Sequence, residues 1–387
     1  MNSPSHARHW VDSWHAQPST NKDYDFIDGL RGIAILMVVA CHLIYENRTS
    51  YPVITFLYKM ILSGAYGVTL FFVLSGFLIS WPFWKNKVRE SPHQCPNGYW
   101  WRRFYKIYPP LALSIIILTP ICSFITGGDS GYYWDALKYL VGLPLVQPVS
   151  GKLNPVMWSL IVEVQFYLIL PLVFFCLSRV SAKASVWIVF LLFALMPMAF
   201  RIYNHFHHLE FELHPMVQLR FPTRFDAFAP GILMAGLVST GGISKRWACL
   251  GNWGAFLLVA GLTFSAILKM QSGWDKSFVL QELSSLAFKG AGFLLLCYVL
   301  NPKLRGPRLL SEPLLRWFGI ISYEWYLFHQ AIYGFIWRNC FGMAEGNVIK
   351  YVLTIVTSFA VGLLISVLVY RYFSLPLLKW GRLRHSS

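Results

Sequence analysis

Charged residues are scarce in this chain, and acidic residues are the scarcest of them. Asp, Glu, Lys and Arg make up 13% of the 387 residues, with 33 Lys and Arg against 17 Asp and Glu. Soluble globular domains carry nearer one quarter charged residues, so this shortage excludes the ordinary water-soluble classes. The basic excess therefore does not indicate a nucleic-acid partner. We expect these cations on cytoplasmic loops that face anionic lipid.

Cysteine spacings typical of metal sites or disulfide frameworks are also missing. The seven cysteines are scattered and include no CxxC pair, so we predict neither zinc nor a disulfide framework. The segment 201–222 is rich in histidine and could ligate a metal, but an acceptor-binding loop explains it better, because no helical register fixes its side chains. Its ionisable residues include His205, His207, His208, Glu210, Glu212 and His214.

Long apolar segments make up most of the chain. Hydrophobic residues account for 56% of it, and segments of roughly 17–25 residues recur, each long enough to cross a bilayer. The pattern predicts an all-α polytopic membrane protein with about ten transmembrane helices. We place them near 30–45, 66–84, 108–126, 156–177, 184–200, 225–238, 249–268, 280–300, 318–337 and 351–373.

The distribution of Lys and Arg predicts the orientation. With both termini cytoplasmic, the inner segments hold more of these residues than the outer ones, as the positive-inside rule requires. We therefore expect a cytoplasmic tail over 1–27, a transmembrane domain over 28–376 and a basic cytoplasmic tail over 377–387. The most basic inner segment, 85–106, is predicted to be a loop, and a short outer helix is predicted around 134–143.

The first apolar helix carries an arginine and a histidine. Arg31 and His42 are eleven positions apart, which is about three turns and 16 Å of rise, so both side chains project from nearly the same face. Because a guanidinium at membrane depth is costly, it normally faces a protein interior or a watery cavity. The pair suggests two levels of one channel, with Asp28 close enough to pair with Arg31. The alternative is an interfacial arginine and a buried structural histidine.

Three cations lie within five residues at Arg102, Arg103 and Lys106. Arginine clusters hold phosphates through paired hydrogen bonds. The same residues would also serve as a simple positive-inside signal with aromatic anchors.

Two further helices carry polar groups. Glu163 is an acid inside an apolar helix and needs a partner, for which Arg31 and His42 are the obvious choices; a structural ion pair is the alternative. In the ninth helix, Tyr326 and His329 share a face with Ser322, which helix packing explains as well as chemistry does.

Several motifs follow one another in a fixed order from the first helix to the ninth. They are Asp28-Gly29-Leu30 with Arg31 and His42; Phe71 to Ile79, which contains Ser75; Arg102 to Pro109; Ser159-Leu160 with Val162-Glu163 and Phe166-Tyr167-Leu168; Arg224 to Phe228 with Gly231; and Ile321-Ser322-Tyr323 with Tyr326-Leu327 and His329. This ordered set resembles acyltransferase family three, the integral-membrane O-acyltransferases that modify surface glycans and glycosides.

The resemblance implies a function and roles for individual residues. It implies transfer of an acyl group, by default acetyl, from cytoplasmic acyl-CoA as co-substrate to a hydroxyl of a carbohydrate acceptor at the bacterial inner membrane. It implies a catalytic part for His42 and an essential part for Arg31 beside it. We predict that His42 acts as general base and that Glu163 completes the catalytic set with Arg31. The CoA-binding candidates are Arg102, Arg103 and Lys106, and the substrate-binding candidates are Asp28, Ser75, Tyr167, Asp226, Tyr326 and His329.

The chain departs from the family pattern at two positions. Lys106 stands where arginine is usual, which weakens bidentate phosphate binding but keeps the charge. Ser374 stands where an acid is common, and we assign it no role.

A transporter or flippase without acyl-transfer chemistry is the main alternative, because intramembrane Arg, His and Glu also line proton and substrate paths. A membrane scaffold is the third. The sequence leaves open the oligomeric state and the choice between direct transfer and an acyl-histidine intermediate.

Overall fold

A computed structural model describes residues 25–44, 52–91, 94–142, 145, 153–207, 223–241, 253–270, 278–299, 308–339 and 348–385. Within these ranges the chain is helical and has no strand, which confirms the predicted fold class. The helices are α1 (Asp25–Leu43), α2 (Pro52–Leu62), α3 (Gly67–Val88), α4 (Tyr99–Ile125), α5 (Gly131–Leu140), α6 (Trp158–Cys176), α7 (Ala182–His207), α8 (Ala229–Ser239), α9 (Gly254–Met270), α10 (Phe278–Val299), α11 (Pro313–Ile320), α12 (Ser322–Asn339), α13 (Val348–Val369) and α14 (Leu375–His385).

Seven helical segments of the described chain are long and apolar enough to cross a membrane. They are Phe26–Leu43, Thr55–Val88, Tyr99–Ile125, Pro155–Cys176, Ala182–His207, Phe278–Cys297 and Val348–Gly381, and two shorter apolar helices are Phe225–Ser239 and Phe256–Met270. The chain is therefore a multi-pass membrane protein. The count of ten and the cytoplasmic termini stay predictions.

The basic segment 85–106 is helical at both ends, so the prediction of one continuous loop is wrong. Helix α3 continues to Val88 and α4 begins at Tyr99, directly after Gly98 in the left-handed conformation (φ 64°). Glycine adopts this conformation without steric cost, so the chain can turn sharply into α4. As a result, Arg102, Arg103 and Lys106 lie on a helix, and their relative directions are fixed.

The structure also differs from the predicted helices elsewhere. The outer segment after α1 contains helix α2, and α7 continues to His207 beyond the predicted end at 200. The ninth helix is divided at Ile321 into α11 and α12. A π turn, Tyr370–Ser374, joins α13 to α14. Because Pro376 has no N–H to donate, such a turn before it lets the helix continue into α14.

Glycines let α1 pack closely against its neighbours. A Cβ atom on Gly29 would lie 2.0 Å from the carbonyl oxygen of Leu310, and one on Gly319 would lie 1.8 Å from that of Asp28. Small residues at helix contacts allow this approach in membranes. The contact fixes α1 against α11 and, through it, the start of α12.

Candidate active site

A polar pocket of about 70 Å³ lies between α1, α3, α4, α6 and α12. Its charged lining residues are Arg31, Lys106 and Glu163. The pocket brings together candidate site residues that lie far apart in the sequence. Its other polar lining residues are Ser75, Ser159, Tyr167, Ser322, Tyr323 and Tyr326.

Arg31 faces the interior of the helix bundle. Its Nη2 atom donates to the Ser322 hydroxyl at 3.0 Å, and its Nη1 atom lies 4.0 Å from the Asp28 carboxylate. Ser322 in turn donates to the carbonyl of Gly319 at 2.7 Å. Arg31 therefore ties α1 to the point where α11 ends and α12 begins.

Glu163 is held by hydroxyl groups. Its Oε1 atom accepts hydrogen bonds from Ser75 Oγ at 2.8 Å and from the Tyr167 hydroxyl at 2.6 Å. Within the ranges that the structure describes, no ion pair joins Glu163 to Arg31 or His42. The prediction of such a pair was therefore wrong, because Arg31 is engaged at Asp28 and Ser322 instead.

The three basic residues of α4 have different surroundings. Arg102 is exposed, whereas Lys106 lines the polar pocket. The Arg103 guanidinium lies over the rings of Tyr99, at 5.9 Å, and Tyr167, at 5.5 Å. Among the described residues, the buried Arg103 Nε atom has no hydrogen-bond partner. The three cations are neighbours on one helix, but each has different surroundings.

A larger, mostly apolar cavity of about 230 Å³ lies beside the polar pocket, between α4, α5 and α6. The two spaces share Ile107, Leu160 and Tyr167 as lining residues. Arg103 is the charged residue in the lining of the larger cavity. Tyr167 thus borders both spaces and binds Glu163 with its hydroxyl.

His42 and His329 form a pair farther along α1 and α12. His42 Nδ1 lies 3.0 Å from His329 Nε2 and 3.0 Å from the carbonyl oxygen of Val38. His329 Nδ1 lies 3.1 Å and 2.9 Å from the carbonyl oxygens of Trp325 and Tyr326. His42 is half-buried and His329 is buried.

The polar groups of α1 and α12 lie at two levels, as the spacing on α1 predicted. Arg31 meets α12 at Ser322 and His42 meets it at His329, seven residues later. Seven residues of helix rise about 10 Å. Tyr326 lies between the levels, accepting from Ser159 Oγ at 2.7 Å and donating to the carbonyl of Val156 at 3.0 Å.

Asp226 belongs to a different cluster. Its carboxylate accepts from Arg201 at 2.7 Å and from Lys289, and Arg201 also binds Glu282 at 2.7 Å. Asp226 does not line the polar pocket. Its buried carboxylate is bound to these basic partners instead. The sequence motifs did not indicate Arg201, Glu282 or Lys289, since no local spacing links residues so far apart in the chain.

The histidine-rich segment falls partly outside the described residues. His205 stacks on Phe278 at 4.7 Å and His207 on Tyr203 at 4.1 Å. His208, Glu210, Glu212 and His214 lie beyond the described part of α7. Among the residues that the structure does describe, no group of three His, Cys, Asp or Glu side chains could hold a metal ion.

The chain is a multi-pass membrane protein with an internal polar site. Its apolar helices are long enough to span a membrane, and they enclose a polar pocket and a histidine pair. A family model described as an acyltransferase domain matches residues 24–371. The chain therefore belongs to acyltransferase family three. No solved structure matches it.

Curated relatives match the chain at low identity. The peptidoglycan O-acetyltransferase OatA of Listeria monocytogenes is 23% identical over 92% of the chain and 56% of its own length. The acyltransferase MdmB of Streptomyces mycarofaciens is 31% identical over 42% of each protein. A putative O-acetyltransferase of Staphylococcus aureus is 21% identical over 92% of the chain and 57% of its own length. The chain spans about half the length of these relatives.

Proposed function

We propose that the protein is a membrane O-acyltransferase. It moves an acyl group, most simply acetyl, from cytoplasmic acyl-CoA to a hydroxyl of a carbohydrate acceptor. The observation that carries this proposal is the His42–His329 pair, set one level beyond the polar pocket in a chain of this family. The names of the relatives, which include a peptidoglycan O-acetyltransferase, support a carbohydrate acceptor.

The donor approaches from the end of α4 that carries the basic residues. The exposed Arg102 and the partly buried Arg103 offer charge to phosphate groups at the cytoplasmic face. Lys106 lies one turn deeper and lines the polar pocket. We therefore assign the CoA phosphates to Arg102 and Arg103, and Lys106 to the deeper, uncharged part of the donor.

The polar pocket has room for only a short part of the donor, which we assign to its pantetheine arm and not to its nucleotide. A volume of about 70 Å³ is small beside the roughly 300–1,000 Å³ of ordinary ligand pockets. Its hydroxyl groups can hydrogen-bond the amide groups of a pantetheine arm. A thioester carried by such an arm past Arg31 would reach the level of His42.

His42 acts there as the general base. A neutral imidazole has a proton affinity suited to this task near neutral pH. It takes the proton of the acceptor hydroxyl while the oxygen forms a bond to the acyl carbon. The bond between that carbon and sulfur then breaks, and the CoA thiolate leaves with the proton that His42 returns.

Release of free CoA tests the proposal. Purified protein in detergent would be supplied with acetyl-CoA, with and without a crude extract of cell-envelope glycans. We expect CoA release that requires the extract and falls to background in His42→Gln. Release that is unchanged in His42→Gln would refute the role of His42. No release with any acyl-CoA, from protein that is folded, would favour a transporter.

A further inference from the structure

The hydrogen bonds of the two histidines determine where their protons lie. Carbonyl oxygens only accept hydrogen bonds. His329 Nδ1 faces two of them, at 2.9 and 3.1 Å, so this nitrogen carries a proton. In the neutral ring, Nε2 of His329 is then an acceptor.

The same reasoning extends to His42. Its Nδ1 faces the carbonyl of Val38 and the acceptor nitrogen of His329, both at 3.0 Å. The Cys41 Sγ atom lies farther from Nδ1, at 3.7 Å, and its hydrogen is donated to the carbonyl of Val38 at 3.1 Å. A proton on His42 Nδ1 satisfies both contacts at once, as a shared hydrogen bond. If the only ring proton of His42 were on Nε2, its Nδ1 would be an acceptor. Nδ1 would then face two further acceptors, the Val38 carbonyl and His329 Nε2, with no hydrogen between them. The neutral ring of His42 therefore keeps its lone pair on Nε2.

We propose that His329 is a positioning residue that holds His42 in this tautomer and orientation, so that Nε2 is the basic atom. The inference rests on the proposed function and adds a residue to it. His329 does not touch substrate in this role, which replaces the substrate-binding role implied by the family resemblance. It acts through the bond from His42 Nδ1 to its own Nε2.

The pair also stabilises the charged form of His42 during the reaction. When Nε2 takes the proton of the acceptor hydroxyl, the ring becomes an imidazolium. Its Nδ1–H then donates charge-assisted hydrogen bonds, which are stronger than neutral ones, to His329 and to the carbonyl of Val38. The proton on Nε2 passes to the departing thiolate, and both rings return to their starting forms.

The surroundings of His329 keep it in place. Its ring is only 2% exposed, and its Nδ1 proton is held by two carbonyls of its own helix. The ring of Tyr326 lies 5.7 Å away, centroid to centroid. His329 therefore offers a fixed acceptor to a half-buried His42.

Two substitutions of His329 separate positioning from packing. His329→Gln places an amide oxygen near the position of Nε2 and can accept the same hydrogen bond, whereas His329→Leu cannot. We expect His329→Leu to lower kcat at least about tenfold, a part of the roughly 10²- to 10⁴-fold that general base catalysis supplies. KM for acetyl-CoA should change less than twofold, and His329→Gln should recover most of kcat. Thr354→Val, at a buried position on α13, is the control for disturbance of buried polar groups.

A spectroscopic measurement can determine the tautomers of the two histidines and does not require turnover. In protein labelled with ¹⁵N-histidine, with the two rings assigned through His42→Gln and His329→Gln, we expect a protonated Nδ1 and an unprotonated Nε2 on both rings. A protonated Nε2 on His42, or equal kcat in wild type and His329→Leu, would overturn the proposal. Equal losses in His329→Leu and His329→Gln would also overturn it. Absence of CoA release by the wild type would refute the proposed function instead, because the spectrum does not depend on turnover.

Discussion

The hydroxyl groups around Glu163 predict a measurable stabilisation. The Tyr167 hydroxyl donates to Glu163 at 2.6 Å in the polar pocket, and Tyr167 is 4% exposed. Tyr167→Phe removes this donor and keeps the ring. Hydrogen bonds to charged groups contribute about 1.5–3 kcal/mol, against about 0.5–1.5 kcal/mol for neutral ones. We expect Tyr167→Phe to lower the free energy of unfolding by about 2 kcal/mol on this basis.

Tyr323→Phe provides a matched control. The Tyr323 hydroxyl lines the same pocket but donates to a neutral group, the carbonyl of Ile107, at 2.8 Å. Its loss should cost about 1 kcal/mol. The loss of unfolding free energy should therefore be larger in Tyr167→Phe than in Tyr323→Phe if Glu163 is charged.

A double-mutant cycle with Glu163→Gln isolates the pair. Unfolding would be followed in mixed micelles for the wild type, Tyr167→Phe, Glu163→Gln and the double variant. We expect a coupling energy of about 1–2 kcal/mol, because the two groups are in direct contact. A coupling near zero, or a loss in Tyr323→Phe as large as that in Tyr167→Phe, would refute a charged Glu163 held by Tyr167.

Three further predictions concern the donor, the packing and the second ionic cluster. Arg103→Ala should raise KM for acyl-CoA more than KM for the acceptor, and more than Arg102→Ala does, in steady-state assays; the reverse order would reject this docking site. Gly319→Ala should lower the free energy of unfolding by about 1–3 kcal/mol, because its Cβ would meet backbone at 1.8 Å, whereas Gly334→Ala, with open space around it, should not destabilise. Asp226→Asn should destabilise by about 3–5 kcal/mol, as loss of one partner from a buried ion pair does, while KM for donor and acceptor should not change in the protein that remains folded.

The spacing of apolar and polar residues predicted most helices of the chain and several residues that line the polar pocket. The spacing of Arg31 and His42 on one face of α1 is confirmed by their contacts with Ser322 and His329. These contacts follow from helix geometry, which a sequence determines locally. The polar face of α12 was predictable for the same reason.

The partners of charged groups were harder to predict. Glu163 binds hydroxyls of Ser75 and Tyr167, and a carboxylate in an apolar helix does not indicate whether a cation or a hydroxyl will satisfy it. The direction of Arg103 toward two aromatic rings depends on where α4 begins, and helix boundaries depend on turns such as the one at Gly98. These features arise from tertiary packing.

Transfer of a labelled acyl group to the acceptor would decide whether the protein is an O-acyltransferase that uses His42. Acetyl-CoA with a ¹³C-labelled acetyl group would be supplied to wild type and to His42→Gln, and the glycan products would be examined by mass spectrometry for alkali-labile esters. We predict labelled esters on a sugar hydroxyl with the wild type and none above background with His42→Gln. Labelled esters formed equally by His42→Gln, or none formed by folded wild type that consumes the donor, would contradict this mechanism.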